Sequence, residues 1–119
     1  MPPEAKNDAL TVNILIKREE GMFVAHCLEM DIVATGDSLE AVKSDIIDLI
    51  KAQITFAFAH GNQDNLFHPA PSEVWREFYK CSGVEKARHE VPQSEDAPGE
   101  FIPPWFFANT CGVGGECGV

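Results

Sequence analysis

Cys111 and Cys117 have the most suggestive chemical spacing in the chain, with Gly-Val-Gly-Gly-Glu between them. Three glycines in that interval leave the backbone free to close a disulfide or to offer two thiolates to zinc. Structural zinc typically takes cysteine pairs two to four residues apart, backed by a second pair. Cys81 and His89 would have to complete such a set, and they do not have that spacing. No metal or cofactor is therefore expected. A metal-dependent nuclease would need several carboxylates converging on one sheet. The first strand presents Val12, Asn13 and Ile14 instead, Glu29 and Asp31 sit in a bend, and Asp37 suits a helix cap. His26 and Cys27 are neighbours on one strand, so their side chains leave opposite faces and cannot act together locally. Cys27, on the side of Phe23 and Ala25, reads as a buried inert thiol, and His26 as a surface or half-buried side chain. A non-enzymatic protein is expected, with nucleic-acid hydrolysis the weakest of the functional readings.

The elements that would position these residues centre on one helix from Asp37 to about His60. Leu39, Val42, Ile46, Leu49, Ile50, Ile54 and Phe58 recur at helical spacing as an apolar stripe, with Glu40, Lys43, Ser44, Asp48 and Lys51 mostly opposite. Asp37 is the expected N-cap, Glu40 completes a capping-box-like pair, and Gly61 suits the left-handed position after the end. Three strands precede the helix. Leu10–Lys17 alternates with Leu15 as an exception, a charged turn ends in Gly21, Met22–Leu28 returns, and Ile32–Thr35 follows the bend at Glu29-Met30-Asp31. This order predicts an α+β fold: an antiparallel sheet of three to four strands with one face covered by a long helix.

After Gly61 the pattern weakens. Leu66-Phe67-His68 is a marginal fourth strand, and a short second helix starts at Ser72, with Val74, Trp75, Phe78 and Tyr79 as its apolar side. The expected organisation is a leader over 1–8, a domain over 9–83, an acidic linker over 84–100 and an extended C-terminal tail over 101–119. The tail holds Phe101, Trp105, Phe106 and Phe107 within seven residues, so it is expected to dock on its own domain or on a neighbouring chain.

A formal net charge of −10, with nine scattered basic residues, argues against direct nucleic-acid binding. The acidic balance favours a basic partner. No apolar run approaches the roughly eighteen residues of a membrane span, and Met1–Asp8 lacks a signal-peptide core. A cytoplasmic protein with reduced thiols at Cys27, Cys81, Cys111 and Cys117 is expected.

The stretch from Gly21 to Ala41 resembles the HicB-like antitoxin family. Phe23-Val24-Ala25, Leu28-Glu29-Met30-Asp31 and Gly36-Asp37-Ser38-Leu39-Glu40-Ala41 are similar to that family's strand, bend and helix-opening motifs. The likeness covers roughly residues 10 to 60, and residues 66–80 resemble the extension of solitary members. It implies a degenerate ribonuclease-H-like arrangement and a protein-binding role, neutralising a small basic HicA-like ribonuclease toxin. The chain departs from family members that carry a DNA-binding module, since its second half has no basic recognition helix. The alternative is a solitary regulatory or ligand-binding domain with no toxin partner. Glu29, Asp31, Trp105, Phe106 and Phe107 are the candidate protein interface, and a homo-oligomer, a dimer or larger, is expected.

Overall fold

The computed structural model describes residues 10–61, 66–81, 83–91 and 105–111. The leader expected at 1–8, and the stretches 92–104 and 112–119 of the expected linker and tail, lie outside them. The fold is α+β: a mixed five-stranded sheet, a long helix packed against it and a short second helix. Strands β1 (Leu10–Glu19), β2 (Met22–Cys27) and β3 (Ile32–Gly36) form an antiparallel meander. Helix α1 (Leu39–Ala59) and helix α2 (Ser72–Tyr79) follow, then β4 (Val84–Glu90) and β5 (Trp105–Cys111). The strand order is β3-β2-β1-β5-β4, with β5 parallel to β1 and antiparallel to β4.

The local chemistry accounts for the meander. Glu19 opposes Met22, so the hairpin loop is Glu20-Gly21, and both residues have positive φ (53° and 82°). That is the two-residue turn whose twist matches paired strands, and glycine suits its second position. Ser38 caps α1, its Oγ accepting from the Ala41 amide at 3.1 Å, so the cap falls one residue later than the expected Asp37. Gly61, at φ 64°, ends the helix as expected.

Val42, Ile46, Ile50 and Ile54 are the buried row of α1. They pack with Val12, Ile14 and Ile16 of β1, Ala25 and Cys27 of β2, Ala34 of β3, and Phe106 and Ala108 of β5. Leu39 and Leu49, expected in the stripe, are exposed instead. The row Val42, Ile46, Ile50 and Ile54 faces the sheet, which leaves Leu39 and Leu49 at its margin. The opposite face carries a second, smaller cluster in which Leu15, Leu28, Ala70, Phe78 and Cys111 pack with Val74 and Trp75. Leu15 breaks the alternation of β1 because α2 covers it from the other side. Tyr79 points outward, 72% exposed.

Three further expectations are corrected. Leu66-Phe67-His68 forms no strand; it runs beside the β2–β3 turn, with the His68 and Ala70 amides donating to Glu29 O and Leu28 O. The first part of the expected linker is β4; Trp105–Cys111 of the tail docks on its own domain, one of the two expected outcomes, as a strand between β1 and β4. Cys81 and Cys111 are joined by a disulfide across 30 residues, where reduced thiols were expected. A loop of that length removes about 3–4 kcal/mol of unfolded-state entropy in the chain-entropy account. Cys117, a candidate partner for Cys111 in the sequence, lies outside the described residues. Among the described residues no helix is long and apolar enough to cross a membrane.

The two adjacent positions on α1 give a direct check on its orientation. Ile50→Ala should cost about 2–5 kcal/mol of stability, because a fully buried side chain leaves a cavity. Leu49→Ala, at 41% exposure, should cost less than about 1.5 kcal/mol. Urea unfolding of the two variants measures both.

Candidate functional site

The β2–β3 turn places the two candidate carboxylates on separate tasks. Glu29 reaches across to β1, where its Oε1 accepts from the Asn13 amide at 2.7 Å and its Oε2 from Asn13 Nδ2. Asn13 Oδ1 in turn accepts from Asn109 Nδ2 of β5 at 3.1 Å. The carboxylate thus satisfies a β1 amide just beyond the β1–β2 ladder, which begins at Ile14 and Cys27. Through Asn13 it also ties the turn to β5. Burial pushes the Glu29 carboxyl above its ordinary value, while the hydrogen bonds from Asn13 pull the other way.

Asp31 has φ 55°, a left-handed conformation that aspartate tolerates, and turns its Oδ1 to His26 Nε2 at 2.6 Å. Glu29 therefore holds the sheet while Asp31 holds the turn, and the two carboxylates do not share a ligand position. Among the described residues no group of three or more His, Cys, Asp and Glu side chains is gathered for a metal ion. Cys27 is fully buried, and burial drives its thiol up to about 12, so it is not a nucleophile near neutrality.

The aromatic triplet is divided by strand alternation. Phe106 points under α1, 0% exposed, and packs against the His89 ring at 5.3 Å. It belongs to the core and not to an interface, which corrects its place among the candidates. Trp105 and Phe107 leave the opposite face, beyond the small α2 cluster. Arg88 lies over the Trp105 ring at 5.2 Å and Lys86 over Phe107 at 5.6 Å, each reaching diagonally from β4. This face is aromatic, with two cations over its rings and Glu90 paired with Arg88 at 3.8 Å.

The outer flank of α1 is a surface that periodicity assigned partly to the core. Leu49 and Phe56, 41% and 54% exposed, stand along it with Ala52. Asp45, Asp48 and Glu40 are exposed on the same helix. Two shallow hollows border this ridge, one formed with Ala34 and Thr35 of β3, the other with Thr55, Ala59 and His60. His60 stacks on Phe56 at 4.2 Å and its Nδ1 lies 2.9 Å from Phe56 O, which fixes the ring at the helix end. The sequence carries no signal for this flank, since an apolar stripe roughly 100° or more wide takes in both Leu49 and Ile50.

A third feature lies between α1 and the far edge of the sheet. A groove of about 390 Å³ has Ile14, Ile16, Ile46, Ile47 and Ala87 as its apolar lining, with Lys43, Asp48, Lys51, Glu85 and His89 around it. α1 sits closest to β2 and β3, and the small side chains Ala87 and Thr110 leave this side open.

Comparisons with protein-family models, curated proteins and solved structures return no match.

The Glu29 environment predicts a pH signature. A carboxyl whose pKa is raised by folding favours the folded state when protonated. Its contribution is full below the ordinary value of 4.5 and is lost as pH rises through the folded value. Glu29→Gln should remove this dependence. The stability difference between wild type and variant, from urea midpoints at pH 5 and pH 7, should favour wild type more strongly at pH 5.

Proposed function

We propose that this chain is a non-enzymatic, protein-binding module of the HicB-like antitoxin type, acting on a small basic protein. The outer flank of α1 carries the reading: exposed Leu49 and Phe56 lie beside exposed Asp45 and Asp48. Apolar anchors supply contact area, and the carboxylates steer and orient a cationic partner. The net charge of −10 adds long-range attraction of the same sign. The other aromatic surface suits such a partner less, because Lys86 and Arg88 cover Phe107 and Trp105. The resemblance from Gly21 to Ala41 supports the family part of the proposal. Cytoplasmic residence belongs to the same reading; the Cys81–Cys111 bridge weighs against it, since such bonds are rare in reducing compartments.

Co-expression with a small basic HicA-like ribonuclease toxin tests the proposal. Wild type should relieve the growth arrest that protein causes, and Asp45→Lys with Phe56→Ser should lose at least tenfold in affinity and fail to relieve it. Full relief by the double variant, with unchanged affinity, would reject the surface.

Self-association is the second part of the proposal. The β3 edge (Ile32–Gly36) bears no charge and Val33 is exposed, whereas β4 is guarded by Glu85, Lys86, Arg88 and Glu90. Uncharged edges pair with a second copy, and charged ones resist it. Light scattering should give twice the 13.1 kDa chain mass, and Val33→Lys should return the monomer.

A ligand-binding regulatory domain is the other reading, favoured by the groove between α1 and β4.

A further inference from the structure

The groove between α1 and the β4–β5 edge has an organised distribution of charge. Its floor and walls are Ile14 and Ile16 of β1, Ile46 and Ile47 of α1 and Ala87 of β4. One end is closed by an ion pair from helix to edge strand, Lys43 Nζ to Glu85 Oε1 at 3.6 Å. Lys51 lies two turns further along α1, about 12 Å from Lys43 along the axis. Lys51 is half-buried and has no ion-pair partner among the described residues.

His89, also half-buried, faces it from β4. Both side chains line the groove, and burial and then the charge of Lys51 lower the pKa of His89. Asp48 is the remaining acid in the lining, and it is exposed at the mouth. A half-buried ammonium beside an imidazole is an arrangement that an anion would complete. An apolar trough leading away from that ammonium would hold the rest of the same molecule.

We infer that this groove binds a carboxylic acid with an apolar body of about eight to ten carbons, matching the roughly 12 Å between the two lysines. The carboxylate sits between Lys51 and His89, and the chain or ring runs over Ile47, Ile14 and Ala87 toward the Lys43–Glu85 pair. The volume of about 390 Å³ falls within the range of roughly 300–1,000 Å³ used by small-molecule sites, which are mostly apolar with a few placed polar groups. A neutral analogue fills the trough without meeting the ammonium, and a cationic one is repelled by it. Binding here does not depend on the α1 outer flank, so it stands whether or not the protein engages a basic partner.

Titration of the full ¹⁵N-labelled chain with decanoate, below its micelle-forming concentration, tests the inference by amide shift changes. The shifts should map to residues 43–51, 85–89 and 110. Decan-1-ol should bind at least tenfold more weakly, and decyltrimethylammonium should leave these amides unmoved. Lys51→Glu should weaken decanoate at least tenfold, and Ala87→Phe should do the same by filling the trough. Both variants are on exposed or half-buried positions, and an unchanged urea midpoint confirms that each is folded. Shifts centred elsewhere, equal binding of the acid and the alcohol, or full affinity in Lys51→Glu would each overturn it.

Discussion

The buried row Val42, Ile46, Ile50 and Ile54, seated on one face of the meander, is the contact on which the rest of the molecule depends. Four aliphatic side chains removed from water supply several kcal/mol of gross driving force and fix the rotation of α1 about its axis. That rotation decides which other side chains are available for function. It turns Leu49 and Phe56 outward and aims Lys43, Ile47 and Lys51 at the space beside β4. Gly36, the last residue of β3, permits the close approach, since a Cβ there would meet the Val42 amide nitrogen at 3.3 Å. The helix lies toward β2 and β3, so the β5–β4 half of the sheet is covered less completely. The groove follows from that asymmetry.

Both faces of the sheet are used, to different degrees. The α1 face holds the larger core, while the opposite face holds a small cluster under α2, the disulfide between Cys81 and Cys111, and a polar ladder of Glu29, Asn13 and Asn109. The ladder spans the turn, the central strand and the C-terminal strand, so it fastens β5 to the meander on the side away from the main core. The disulfide does the same from the end of α2. Together they account for how a strand late in the chain is held next to β1, beyond its own parallel hydrogen bonds.

Charge is distributed unevenly, although the total is strongly acidic. Acidic groups occupy the outer flank of α1, whereas Lys86 and Arg88 are drawn onto the aromatic face of β5 and Lys51 is left beside His89. Aromatic quadrupoles hold the first two cations, and the low-dielectric wall of the groove sharpens the field of the third. Three surfaces of different chemistry result, and a net charge cannot distinguish among them.

Local signals determined the first half of the fold. The alternation of Leu10–Ile16, the turn at Glu20-Gly21, the bend at Glu29–Asp31 and the helical stripe with its Gly61 stop were legible, because each is set by neighbours within a few residues. The inert character of Cys27 was legible for the same reason, through its face on β2. Only tertiary structure decided the rest. Val84–Glu90 lacks apolar alternation because it is an edge strand exposed on both faces, so its charges looked like a linker. The parallel pairing of β5 with β1 joins residues 96 positions apart, which no periodicity reports. Phe106 parted from Trp105 and Phe107, Cys81 found Cys111, and Glu29 closed on Asn13 because long-range register brought them together. Sequence spacing fixes which residues share a local face; which face meets another element is settled only when the strands find their partners.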